Sequence, residues 1–195
     1  MQNFVEELVA EHYRTQGYLV MTNYWIPYSF QRNRTQGGKE QNYMAQSWTD
    51  IDILARNDEE LLIIQVKAII NQMKVVEKIK EFFEQVDNFI EKGVASDGVS
   101  DIKWWKKVPV KKIVVYEWEN SPASYIKEIE KDKNIKVIPF REYYDKLTNY
   151  VKGKKGVKEE NAVLRLLHFI KEQDLRDERK IKKLERQNKK ATQSK

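Results

Sequence analysis

TDIDILARNDEELLIIQVKA, residues 49–68, sets two aspartates at the head of one strand-like run and a glutamine and a lysine near the end of the next. The turn-like RNDEE separates the runs, which predicts a β-hairpin. LLIIQV is nearly continuously apolar, the mark of a strand buried on both faces and central in its sheet. Alternation along a strand sends Gln65 and Lys67 to one face and Ile64 and Val66 to the other, and sets Asp50 and Asp52 on a shared face of the preceding strand. Pairing in register then gathers carboxylates, an amide oxygen and an ammonium at one end of the sheet. Charged groups enter so apolar a stretch only when paired or metal-bound.

Upstream, NFVEELVAEHYRT carries Phe4, Val5, Leu8 and Val9 at helical spacing and stops at Gly17, predicting a first helix with Glu7 and Glu11 one turn apart. YLVMTNYWIPY reads as a strand ending at Pro27. Residues 29–47, polar and holding Gly37-Gly38, read as a long mobile loop. Downstream, Val75, Ile79, Phe82, Val86 and Phe89 predict a helix over 74–92. VKKIVVYEW, ASYIKEIEKDK, IKVIPF and REYYDKLTNYV continue as strand, helix, strand and helix. The order α-β-β-β-α-β-α-β-α predicts an α/β domain, a mixed central sheet flanked by helices, over residues 1–151. KGKKG at 152–156 reads as a basic linker, and 157–195 as a helical basic extension in which Asp174 and Asp177 interrupt any coiled-coil heptad.

The chain has 195 residues, a net charge of +6 and no cysteine, so disulfides and thiolate metal sites are ruled out. Residues 171–195 hold ten Lys or Arg against five Asp or Glu, +5, leaving +1 for the rest. That tail can add sequence-independent phosphate affinity or be a solvated helix face. No apolar run approaches the roughly 18 to 20 residues that span a bilayer, and the first residues are amphipathic, so a cytoplasmic protein is expected.

The chemistry suited to the hairpin cluster is metal-assisted phosphodiester hydrolysis. Asp52, the Gln65 side-chain oxygen and the Val66 carbonyl can hold Mg²⁺ or Mn²⁺, with Asp50 as an additional acid. Lys67 can orient or deprotonate the attacking water.

These residues resemble the PD-(D/E)xK nuclease superfamily, and by pattern its Mrr-type restriction endonucleases and archaeal Holliday-junction resolvases. The resemblance spans roughly residues 3–140 and implies a restriction-endonuclease-like α-β-β-β-α-β core. It places Glu7 as the acid of the first helix, Asp52 as the metal-binding aspartate, Asp50 at the glutamate of a GEID motif, and Gln65-Val66-Lys67 as (D/E)xK. Gln65 departs from the acidic residue, although QxK branches exist, and Ile51 replaces a proline often found before the aspartate. QVDNF from Gln85 looks like the Gln-x-x-x-aromatic motif of RecB-like branches. The implied activity is a Mg²⁺- or Mn²⁺-dependent DNA endonuclease, homodimers being common in the family. The alternative is a nucleic-acid-binding or assembly subunit that keeps the fold without hydrolysis.

Arg32, Arg34 and Lys39 in the expected loop, and Lys152, Lys154 and Lys155 in the linker, are candidate phosphate contacts. KWWKK at 103–107 suits either base stacking or buried packing. His12 reads as a packed histidine, Glu11 as the partner of a nearby cation, and His168 has no metal motif beside it. Duplex, junction, flap and single strand, DNA and RNA, stay open as substrates.

Overall fold

Arg56 and Leu61 face each other at the closed end of the hairpin expected from residues 49–68. The computed structural model describes residues 4–36, 39–92, 108–118, 121–132, 134–152, 162–167, 169–170 and 181–182, without the side chains at 33–41 and 92. The hairpin strands are β2 (Lys39–Arg56) and β3 (Leu61–Lys67). Asn57 closes their turn, its Oδ1 accepting the Glu59 and Glu60 N–H groups at 2.9 and 2.8 Å, as an Asx turn does.

Around this hairpin stand α1 (Phe4–Thr15), β1 (Leu19–Gln36), α2 (Met73–Lys92), β4 (Val110–Tyr116), α3 (Ala123–Glu130), β5 (Ile135–Pro139) and α4 (Phe140–Lys152). The order α-β-β-β-α-β-α-β-α matches the reading of the sequence. The five strands lie in chain order, β1-β2-β3 antiparallel and β3-β4-β5 parallel, so the sheet is mixed and β3 is central. Every β3 residue but Lys67 is buried.

On one face Leu61, Ile63, Val114 and Val137 share a core with Val76, Ile79, Phe82, Phe83, Val86 and Phe89 of α2 and Ile129 of α3. This is the stripe that the 3.6-residue period of α2 dictates. The other face is also buried, through Leu62, Ile64, Val66, Ile113 and Val115. α1 packs on β1 and β2 and buries Val5, Leu8 and Val9. Lys80 pairs with Glu128 at 2.9 Å, joining α2 to α3, and the buried Lys112 of β4 reaches Asp87 of α2 at 2.5 Å. Gly17 follows α1 at φ 86°, a conformation open to glycine at little cost.

Residues 29–47 are not a loop. They extend β1 and β2 into one long ribbon, paired residue by residue out to Gln36↔Lys39, and the two residues between lie outside the described ones. The reading failed because residues 29–32 and 42–44 are exposed on both faces of the ribbon, which removes the apolar alternation that marks a strand. Pro27 does not end the strand: it pairs with Trp48 on β1, an edge strand, where a missing N–H is tolerated.

The chain divides into two compact units, Met1–Arg141 and Glu142–Lys195. That division falls inside α4, before the basic 152–156 stretch, of which Lys152 alone is described. Among the described residues no helix is long and apolar enough to cross a membrane.

Ile63 is fully buried on β3 whereas Leu19 is 69% exposed. Ile63→Ala is expected to lower unfolding free energy by about 2–5 kcal/mol and Leu19→Ala by less than about 0.5 kcal/mol, measured by urea denaturation.

Candidate functional site

The β2–β3 ladder ends at Ile53↔Ile64. Beyond it β2 stays paired with β1, through Tyr24↔Ile51 and Trp25↔Asp50, while β3 stays paired with β4, through Gln65↔Val114 to Lys67↔Tyr116. The sheet therefore forks. A continued register would bring Ile51 opposite Val66; instead the Val66 N–H donates to Asp52 Oδ2 at 2.5 Å. The aspartate side chain satisfies a donor that the parting strand has left, as a buried N–H requires.

A slip in the strand alternation aims Asp52 into this fork. The β1–β2 register passes from Thr22↔Ile53 to Tyr24↔Ile51, leaving Asn23 and Asp52 opposite each other but unpaired. Met21 and Tyr24 both pack on the α2-side core, as do Leu54 and Ile51, so each strand changes parity by one residue at this point. Asn23 has φ 53°, a left-handed conformation that asparagine adopts more readily than most residues.

Next to the fork lies a cleft of about 520 Å³. Gln65, Lys67, Ala68 and Ile69 form one wall, Tyr28, Thr49 and Asp50 another, and Val75, Lys78, Glu81, Phe82 and Gln85 of α2 a third. Lys67 and Ala68 are held in place because their carbonyls accept the Glu117 and Trp118 N–H groups, each at 3.1 Å. Gln65 is 6% exposed, and its Oε1 has no hydrogen-bond donor among the described residues. An amide oxygen buried without a partner is costly, and a cation or a donor on a ligand would satisfy it.

Asp52 is 7% exposed and is not on the cleft wall. Burial pushes its carboxyl up to about 7; the Val66 N–H and the Lys67 ammonium oppose the rise, and the negative charges of Glu6 and Asp50 add to it. A divalent cation would reverse that balance by favouring the ionised form. Among the described residues no three His, Cys, Asp or Glu gather into a metal cluster. A cation here would depend on mixed oxygen donors: Asp52, Asp50, the Gln65 amide and the Val66 carbonyl, a set suited to Mg²⁺ or Mn²⁺.

The acid of α1 that acts electrostatically on Asp52 is Glu6, which the sequence reading passed over. Glu7 lies 3.6 Å from Arg14, whose guanidinium also donates to Glu11 at 3.3 Å. At about 100° per residue, Glu6 borders the apolar stripe beside Val9 and Glu7 falls away from it, next to Arg14. That angular difference was the available signal. His12 is buried, its Nε2 2.7 Å from Gln16 Nε2, as expected of a packed histidine.

Arg32 is exposed on β1, and Lys152 is exposed at the end of α4. The side chains of Arg34 and Lys39 lie outside those described, as do Lys154, Lys155, His168 and residues 103–107. Tyr28, Lys78 and Glu81 join the cleft without having been singled out, whereas Gln85 arrives there from the QVDNF motif.

No family model matches the chain, and no curated protein matches it. Among solved structures it is similar to the crystal structure of a protein of unknown function, AF1548, with 15% identity and a TM-score of 0.41 over 71% of this chain. The chain spans 59% of the length of that protein.

Asp52 has a folded-state pKa of about 7 against 3.8 for the free side chain. Between those values the folded protein holds the proton and the unfolded chain releases it, so the contribution of Asp52 to stability falls as pH rises from about 4 to 7 and is level above. Asp52→Asn keeps an acceptor for Val66 and removes the buried charge. With metal chelated, its stability gain over the parent should grow across that range to on the order of 3–4 kcal/mol, read from melts at pH 4, 5, 6, 7 and 8.

Proposed function

We propose that the protein is a metal-dependent nuclease that hydrolyses phosphodiester bonds of DNA, as the resemblance of its motifs to the PD-(D/E)xK superfamily implies. The observation that carries this reading is the buried Gln65 Oε1, without a donor among the described residues, in a cleft lined also by Asp50 and Lys67 and beside the buried Asp52.

Asp52, Asp50, Gln65 and the Val66 carbonyl are the oxygens that would hold Mg²⁺ or Mn²⁺. When bound, such a cation eases deprotonation of water and neutralises charge building on the phosphate. Lys67, half-buried on the wall, positions the attacking water and offers its charge to the phosphate oxygens. Lys78 of α2 adds a second cation to the same cleft. Glu6, on α1, adds negative charge beside Asp52 that favours a cation there, the role first assigned to Glu7.

Gln65, being neutral, is a weaker cation ligand than the acidic residue at this position in the family. This one feature favours the second reading, a subunit that binds nucleic acid without cleaving it.

Labelled duplex, single-stranded, flap and four-way-junction DNA, incubated with Mg²⁺ or Mn²⁺, separate the two. Cleavage of at least one substrate is expected, abolished by EDTA and lowered by about 10² or more in Lys67→Ala. Cleavage that survives either treatment, or none on any substrate, contradicts the nuclease. In the same assay Glu6→Gln should reduce the rate more than Glu7→Gln; the reverse order would return the helix acid to Glu7.

A further inference from the structure

Tyr28 and Thr49 line the cleft, and the ribbon face that carries them runs outward beyond it. Directly opposed residues of an antiparallel pair share a face. The register Tyr28↔Ser47, Phe30↔Ala45 and Arg32↔Tyr43 therefore sets these side chains in one row leading away from the cleft. Successive positions on the row are roughly 7 Å apart, two residues of strand. The Tyr28 and Phe30 rings stand 5.8 Å apart between centroids. Phe30 is 37% and Tyr43 42% exposed, with Arg32 exposed directly across from Tyr43.

These rings have no core to fill. Among the described residues, no third strand pairs with the ribbon from Tyr24↔Ile51 to Gln36↔Lys39. Small Ala45 and Ser47 lie across from the aromatic residues, leaving the rings open on the ribbon surface. The charge points to one kind of occupant: from 19 to 49 the chain carries Arg32, Arg34 and Lys39 against a single acid, Glu40. The reverse face of the ribbon bears exposed Trp25, Met44 and Trp48, with Ser29, Gln31 and Gln46 and, among the described residues, no cation beside them.

From this row we infer that the cleft-side face of the β1–β2 ribbon is a track for an unpaired nucleic-acid strand, with Phe30 and Tyr43 as stacking platforms and Arg32 on its phosphates. Exposed aromatic rings interleaved with cations hold single strands because every base offers a π-face. Bases in a duplex are already stacked on one another and leave none to share. The row meets the cleft at Tyr28, so a strand on the track enters the cleft lined by Gln65 and Lys67. What happens to it there rests on the nuclease reading; its retention on the ribbon does not.

The test is fluorescence anisotropy in EDTA, with the full-length protein and three labelled DNAs: a single strand of about 20 nucleotides, its duplex, and a fork with splayed arms. The single strand and the fork should bind more tightly than the duplex. Replacing both Phe30 and Tyr43 with Ala should weaken single-strand binding at least tenfold, about 1.4 kcal/mol. Phe30→Trp combined with Tyr43→Phe should retain it. All these side chains are at the surface, and unchanged circular dichroism confirms the fold of each variant. Equal affinity for duplex and single strand, no binding at all, or indifference to the double alanine change overturns the track. So does an alanine variant whose defect is lost self-association, which would make the face a contact between copies. Tight, aromatic-dependent binding without cleavage in Mg²⁺ would sink the nuclease reading and leave the track standing.

Discussion

The hydrogen bond from the Val66 N–H to the Asp52 carboxylate is where the sheet divides. To one side β2 follows β1, and to the other β3 follows β4. A parting of strands inside a buried sheet leaves donors and acceptors without partners, and each uncompensated one costs about 1–3 kcal/mol. Asp52 covers one such donor, but its own burial resists ionisation. The fork is thus held by a group that is itself strained electrostatically, and its environment favours a positive charge nearby. Lys67 supplies part of that charge, and the Gln65 oxygen has no donor among the described residues.

The same division shapes both neighbouring regions. With β2 drawn away, the space in front of Gln65 and Lys67 opens into the cleft, and α2 closes it with Lys78, Glu81 and Gln85. Freed from β3, β1 and β2 continue as a two-stranded ribbon. An isolated hairpin is marginal in water, and this one is anchored at its root by Ile26 and Ile51 in the α2-side core. Cleft and ribbon are two results of one local choice of strand partner.

Much of this was legible in the sequence. The apolar run of β3, the amphipathic period of α2 and the order of elements gave the mixed α/β sheet, and simple alternation put Gln65 and Lys67 on a common wall. The fork was not legible. It depends on Asn23 adopting positive φ opposite Asp52, a pairing between strands that periodicity within either strand does not reveal. The ribbon was missed because its outer faces are wet, and the hydrophobic pattern used to find strands reports burial, not pairing. The electrostatic reach of Glu6 to Asp52 was not legible from spacing along the chain; it depends on position around the helix, where Glu7 lies beside Arg14.

A cation seated at the fork must bind Asp52 in its ionised form, so binding near neutrality must expel a proton. Calorimetric titration of Mn²⁺ at pH 7, repeated in buffers of different ionisation enthalpy, measures both affinity and proton release. Saturable binding with a fraction of a proton released per ion, lost in Asp52→Ala, is the expected result. Absence of binding, or binding that Asp52→Ala leaves intact, would contradict a cation site at the fork.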